Sequence, residues 1–240
     1  MASINDIQTG LVPIVVRLKR IAISIIQNFL EKKGYVITSS MLGLGRERRF
    51  NLITMDYIRL STLELIAHEI YSNKVEGSVA ELGVYRGDFA QHINALFKDR
   101  KLYLFDTFSG FDNRNMQTEL DNKFSDPRKQ DFSDTNVQMV LRKMQYPENC
   151  VIKQGFFPET AIGLDDVFAF VSIDADLYEP IYDGLKYFYP RLNKGGYILV
   201  HDYNNTNYLG AKEAVKRFCK EKDIGYVPLS DAWGSAVISK

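Results

Sequence analysis

Two cysteines, Cys150 and Cys219, are all that the 240-residue chain contains. Neither stands in a Cys-x-x-Cys or other metal-ligand spacing. This speaks against a disulfide-stapled scaffold or a structural zinc site, and for reduced thiols in the cytoplasm. Charge of one sign is lacking too: thirty basic and thirty acidic residues cancel. Without a cationic stripe, a nucleic-acid partner is not expected. No apolar run is fit to span a membrane. The nearest, Leu11 to Leu30, is interrupted by Arg17, Lys19 and Arg20, and no small-residue cleavage site follows it. It reads as an amphipathic helix, with Leu11, Val15, Leu18, Ala22, Ile25 and Ile26 on one face. Such a helix docks on the domain or on a partner subunit, which makes a homodimer one expectation; a membrane-surface helix is the alternative.

Internal repeats, low-complexity tracts and Pro/Gly-rich linkers are also missing. With 45% hydrophobic residues, the chain fits one domain around one sizeable core. The expected division is a helical extension over 1–56 and the main domain over 57–240. Residues 34–52, basic around Arg46, Arg48 and Arg49, read as a surface connection.

From Tyr57 onward the pattern is regular. Leu63, Ile66, Ala67 and Ile70 recur at the helical period, predicting a helix over Tyr57–Tyr71. Strands are then predicted at 79–82, at 101–105 running up to Asp106, at 150–152, 167–173 and 197–200, and finally at 226–229 and 236–239. Helices fall between them. One carries Phe89, Ile93, Leu96 and Phe97; a second is capped by Ser133 or Asp134; a third carries Tyr178, Ile181, Leu185 and Phe188; a fourth carries Ala211, Ala214, Val215 and Phe218. Lys194-Gly195-Gly196 reads as the turn into the fifth strand. This alternation predicts an α/β fold, a doubly wound, mostly parallel seven-stranded sheet, whose last two strands form an antiparallel hairpin at one edge.

Ligands of such sheets sit at the carboxyl ends of the strands, and that is where the chemistry-bearing residues fall. Phe170-Val-Ser-Ile-Asp-Ala-Asp176 and Ile198-Leu-Val-His-Asp202 are apolar runs that stop abruptly in polar groups. Asp174, Asp176, His201 and Asp202 should therefore converge, either around a divalent cation or as an acid–base set. At the end of the first strand, Glu81-x-Gly83-x-x-x-Gly87 supplies a turn where glycine lets a ligand approach the backbone. The dinucleotide fingerprint G-x-G-x-x-G is absent. Glu81 and Asp88 flanking the turn would repel a pyrophosphate but suit a sulfonium ligand bearing an α-ammonium, which favours S-adenosylmethionine over NAD. Asp106, closing the second strand, is placed to accept hydrogen bonds from a ribose. The polar stretch Thr107–Phe132 reads as a lid over an acceptor. Arg86 is placed for a local ion pair or for a methionine carboxylate, and Trp233 for packing or for closing the acceptor pocket.

Five strings together, Glu81-Leu-Gly-Val-Tyr-Arg-Gly87, Phe105-Asp-Thr-Phe-Ser-Gly-Phe111, Gly155-Phe-Phe-Pro-Glu-Thr160, Asp174-Ala-Asp-Leu-Tyr-Glu179 and Tyr189-Pro-Arg-Leu-Asn-Lys-Gly-Gly-Tyr197, resemble the macrocin O-methyltransferase family. The resemblance runs from about Tyr57 to the C-terminus. It implies a class I, Rossmann-like methyltransferase fold and methylation of a hydroxyl on a sugar or other vicinal diol in a glycan or natural product. It places S-adenosylmethionine at Glu81, Gly83, Gly87, Asp106, Thr107, Ser109, Gly155, Phe156 and Asp174. It also places a divalent cation, Mg²⁺ first, at Asp174, His201 and Asp202, with Asp176 or His201 as the base. One departure stands out: His201-Asp202 occupies a place where the family usually presents two adjacent acids. The alternatives left open are metal-free catalysis by Asp176 and His201, an NAD-linked oxidoreductase, and a catalytically silent binding protein.

Overall fold

The computed structural model describes residues 56–240 and, upstream, Ile21, Ile25, Ile26, Phe29 and Leu30, which are helical. The chain divides into two compact units, Met1–Asn51 and Leu52–Lys240, and the second contains every element named below. The rest of the N-terminal helix, the 34–52 connection and dimerisation through that helix lie outside the described residues.

In chain order the elements are α1 Tyr57–Ser72, β1 Ser78–Leu82, α2 Ala90–Leu96, β2 Leu102–Asp106, α3 Asn113–Asp121, α4 Val137–Lys143, β3 Cys150–Gln154, β4 Phe168–Ile173, α5 Tyr178–Arg191, β5 Leu192–Val200, α6 Leu209–Lys222, β6 Val227–Pro228 and β7 Ala236–Ser239. The sheet order is β3-β2-β1-β4-β5-β7-β6. The first five strands pair in parallel, and β7 runs antiparallel to both β5 and β6. The doubly wound sheet and its antiparallel edge are as expected from sequence. Strand order reverses between β1 and β4, which run parallel, and this is the switch point where such sheets open a crevice.

Why these residues form these elements is plain at the centre. β1 and β4 are buried along their whole length, as parallel strands covered on both faces must be, so they read as continuous rather than alternating apolar runs. One face packs Ile181, Leu185 and Phe188 of α5 and Ala211, Val215 and Phe218 of α6 against Phe105, Val171 and Ile198. On the other face, Phe97 at the end of α2 stacks on Phe170 with ring centroids 5.8 Å apart. Each fully buried aromatic or aliphatic side chain contributes about 1.5–3 kcal/mol, which offsets the ordering of the polar loops above the sheet. Asp56 starts α1, its Oδ1 accepting from the amides of Ile58 and Arg59 at 2.7 and 3.2 Å. No helix among the described residues is long and apolar enough to cross a membrane.

Four local expectations are corrected. The cap of α4 is Asn136, whose Oδ1 accepts from the Met139 amide at 2.9 Å; Asp134 is instead drawn away to Arg86 and Tyr85. Lys194-Gly195-Gly196 lies inside β5 rather than before it. The β4–β5 register jumps from Phe168↔Leu192 to Phe170↔Tyr197, and Gly195, at φ 83°, absorbs the excursion. The polar stretch after β2 contains α3, whose buried positions are Asn115 and Glu119. β6 is also shorter than expected, pairing only through Val227 and Pro228.

Candidate active site

Short ladder bonds bring the distant strand ends together. The Asp174 amide donates to the Leu82 carbonyl at 2.8 Å, and the His201 amide donates to the Ile173 carbonyl at 2.9 Å. The first residues past β1, β4 and β5 thus lie side by side. Gly83 sits so close that a Cβ there would fall 2.1 Å from the Asp174 carbonyl oxygen, and its φ is +85°. Only glycine fits both conditions.

Above these ends opens a cavity of about 400 Å³. Of the residues expected at the site, Glu81, Gly83, Asp106, Thr107, Gly155, Phe156, Asp174, Asp176, His201 and Asp202 line it. Gly87 and Ser109 do not. Gly87 turns the chain toward Val140, where a Cβ would meet that side chain at 3.0 Å, and Ser109 is exposed. The segment expected as a lid, Thr107–Phe132, contributes Gly110, Phe111, Asn115 and Phe132 to the wall. It is tied down through Glu119 of α3, which accepts from the Tyr178 amide at 2.6 Å and so caps α5 from outside the helix. Asp174 and Asp202 therefore cap neither following helix, and their carboxylates are left for the cavity.

The turn after β1 is held by Asp106. Its Oδ2 accepts from the amides of Val84 and Tyr85 at 2.7 and 2.8 Å, and its Oδ1 accepts from Phe108 at 2.6 Å. Asp106 is thus first a clamp on the turn after β1, with one acceptor direction of Oδ1 remaining. Thr107 braces the next turn by donating to the Gly110 carbonyl at 2.5 Å. Phe156 has one ring face covered by the Arg114 guanidinium, 3.4 Å away. Arg86, the residue with two readings, makes an ion pair with Asp134, distant in the chain.

At the centre, Asp174, His201 and Asp202 bring potential ligand atoms within 4.8 Å of one another. His201 Nδ1 lies 3.0 Å from Asp174 Oδ1 and 3.0 Å from Asp202 Oδ2. Asp202 Oδ1 also accepts from Asn205 at 2.7 Å. Asp176 and Asp202 both hold left-handed backbone, at φ 58° and 60°, a conformation uncommon outside glycine and frequent at functional sites.

A residue that sequence reasoning passed over completes the cluster. Arg59 of α1, side chain 7% exposed, donates from Nη2 to Asp174 Oδ2 at 2.8 Å, and its Cζ lies 3.9 Å over the Phe89 ring. Its Nε is buried without a partner. The signal was available: Arg59 is in register with Leu63, Ile66 and Ile70, a charge on the apolar face of its helix.

These contacts set the protonation states. Burial alone would raise Asp174, but Arg59 and His201 outweigh it and hold the carboxyl well below the usual range. Burial would lower His201, yet the Asp174 charge and hydrogen bonds to both aspartates push it up to about 10. Asp176 goes the other way, driven well up by burial and then by the Asp202 and Asp174 charges. Glu81, 1% exposed and with Oε2 unpartnered, is also driven up, by burial and then by Asp174.

The Glu81 shift has a measurable sign. A carboxyl raised on folding binds protons more tightly in the native state, so its contribution to stability falls as pH climbs from the unfolded value through the folded one. Glu81→Gln is therefore expected to be more stable than the parent at pH 8, with the advantage shrinking toward pH 4, by denaturant unfolding at both. An advantage unchanged across that range would mean that Glu81 is not the titrating group.

The model of the macrocin O-methyltransferase (TylF) family matches residues 47–237. The chain belongs to that family. Among curated relatives, it is 28% identical over 171 residues to demethyldecarbamoylnovobiocin O-methyltransferase of Streptomyces niveus, covering 66% of this chain and 65% of the relative. It is 25% identical over 161 residues to 8-demethyl-8-(2,3-dimethoxy-alpha-L-rhamnosyl)-tetracenomycin-C 4'-O-methyltransferase of Streptomyces olivaceus, covering 60% of each. The chain thus spans less than two thirds of the length of these relatives. Its fold is similar to that of the O-methyltransferase NovP, with a TM-score of 0.66 at 21% identity, covering 77% of this chain and 80% of the other. Family and fold agree with the class I methyltransferase architecture expected from the five strings.

Proposed function

We propose that the chain is an S-adenosylmethionine-dependent O-methyltransferase that modifies a sugar hydroxyl of a natural product or glycan, assisted by a divalent cation. The observation that carries this reading is the convergence of Asp174, His201 and Asp202 beside the buried, unpartnered Glu81 oxygen at the switch point of a macrocin O-methyltransferase-family fold. The rhamnosyl acceptor in the name of the Streptomyces olivaceus relative favours a sugar over other diols. An NAD-linked oxidoreductase and a silent binding protein have no comparable support.

The residues present fit both groups. Glu81 Oε2 lacks a donor, and the α-ammonium of S-adenosylmethionine is one; Glu81→Gln should accordingly weaken its binding. S-adenosylmethionine supplies the methyl on a sulfonium, an electrophile that needs no protein nucleophile. Two carboxylates and an imidazole suit Mg²⁺ or Mn²⁺, and a cation bound there would lower the pKa of an acceptor hydroxyl. The protein's part is positioning: the Val84–Tyr85 turn fixed by Asp106 orients the cofactor, and Phe111 and Phe132 screen the cavity from water. Asp176, on the cavity wall next to the cluster, is the base we favour, because His201 Nδ1 is already engaged by two carboxylates.

A metal-free reading also has a specific observation behind it: Arg59 and His201 already set cationic groups against Asp174 and Asp202. Chelation separates the two. With a cation in the machinery, EDTA should reduce methyl transfer at least about tenfold and added Mg²⁺ or Mn²⁺ should restore it. Full activity under chelation would favour metal-free acid–base catalysis by Asp176 and His201.

A further inference from the structure

Trp233 is the only tryptophan in the chain. It is 53% exposed, yet it lines the same cavity as Asp174, His201 and Asp202. Tryptophan normally brings a large apolar area into a core or an interface, so half of that area left open at a cavity mouth points to a ligand. Nor is the exposure that of a loose loop. The buried Asp231 accepts from both the amide and the hydroxyl of Ser235 at 2.5 Å, closing a tight turn. The Ala232 amide donates to Asp56 Oδ2 at 2.5 Å. The Trp233 carbonyl accepts from the Asn204 amide at 3.2 Å. Gly234, at φ +72°, packs so closely that a Cβ would fall 2.6 Å from the Asn204 side chain.

These attachments connect the indole to the reacting centre. Asn204 lies two residues beyond Asp202, and Asp56 also caps α1, the helix that delivers Arg59 to Asp174. The backbone that carries this flat apolar side chain is thus held in fixed relation to the cluster, and the neutral amide of Asn207 and the ring of Tyr208 line the same cavity. A flat apolar face in a cavity that also offers neutral hydrogen-bonding groups matches a pyranose: apolar C–H bonds on one side of the ring, hydroxyls at its edge.

We propose that Trp233 is the residue that selects the acceptor, stacking on the pyranose ring that bears the methylated hydroxyl and presenting that hydroxyl to the Asp174–His201–Asp202 cluster. This deepens the O-methyltransferase reading and rests on it. Because the indole is unique, its fluorescence reports this site alone. The experiment titrates the full chain, saturated with S-adenosylhomocysteine, with methyl α-L-rhamnopyranoside and separately with catechol. The expected result is a saturable change with the pyranoside below about 0.1 M, the range in which a few contacts to one ring become measurable. Saturation-transfer NMR should show Trp233→Ala weakening the pyranoside at least about tenfold while Trp233→Phe retains it. S-adenosylhomocysteine affinity, by calorimetry, should stay unchanged in both variants. No pyranoside response while S-adenosylhomocysteine binds, or a response to catechol alone, would overturn the proposal and leave the methyltransferase reading standing. No S-adenosylhomocysteine binding would instead bring down that reading, and the proposal with it.

Discussion

Asp202→Asn is expected to cut methyl transfer by about 10²–10³-fold, the scale set by removing one well-placed charge-stabilising group from a catalytic centre, while leaving the fold and S-adenosylmethionine binding intact. The substitution suits this position unusually well. Asp202 holds left-handed backbone at φ 60°, which asparagine tolerates at least as readily as aspartate. An asparagine oxygen can still accept the Asn205 bond that Asp202 Oδ1 accepts at 2.7 Å. The charge that faces His201 from 3.0 Å is what disappears. The cofactor turn, held by Asp106 from the other side of the switch point, makes none of these contacts. Asp174→Asn would be a poorer probe, because it also strips Arg59 of its carboxylate and mixes stability with chemistry. Methyl transfer from radiolabelled S-adenosylmethionine to a panel of glycosylated natural products, with calorimetry for the cofactor, reads both halves. Unchanged turnover would remove Asp202 from the machinery. Lost cofactor binding would place it in the cofactor pocket instead.

The candidate site is legible in the sequence wherever a residue ends a strand. Asp106, Asp174, His201 and Asp202 each close an apolar run, and a doubly wound sheet places every such ending on one edge. Gly83 is legible for a related reason, since a strand that must turn at once beside another backbone tolerates little else. What the sequence hides is polar chemistry facing inward. Helix α3 buries Asn115 and Glu119 rather than apolar groups, so hydrophobic periodicity passes over it and the segment reads as a loop. The cap of α4 goes to Asn136 because Asp134 is claimed by Arg86 and Tyr85, partners far away in the chain. Asp106 reads as a ribose acceptor, but three backbone amides reach its carboxylate first, and these belong to turns whose geometry only the folded chain displays. The Lys194-Gly195-Gly196 excursion is hidden for the same reason: glycine marks the bend, while the neighbouring strand decides that pairing continues through it.

Arg59 is the sharpest case, and it carries the other large expected effect. Replacing it with methionine keeps an unbranched apolar stem but removes the guanidinium both from Asp174 and from the Phe89 ring. Breaking a wholly buried ion pair by removing one partner costs about 3–5 kcal/mol. The Asp174 side chain is 21% exposed and keeps His201 at 3.0 Å, so a loss of about 1–3 kcal/mol is expected by denaturant unfolding. Turnover should fall at least about tenfold, since a carboxylate held by His201 alone is less firmly fixed beside the acceptor. Arg59→Lys should recover stability only in part, because an ammonium restores the charge without the planar stack on Phe89. A divalent cation adds an independent reading. In the parent protein Arg59 occupies Asp174 Oδ2 and repels a second cation. In Arg59→Met that oxygen is free and the repulsion is gone, so Mn²⁺ should raise the melting temperature of the variant more than that of the parent. Equal shifts would mean that Arg59 and the cation do not meet at Asp174. A variant as stable and active as the parent would reduce the ion pair to a surface contact, a poor fit to a guanidinium buried between an aromatic ring and the centre of the cluster.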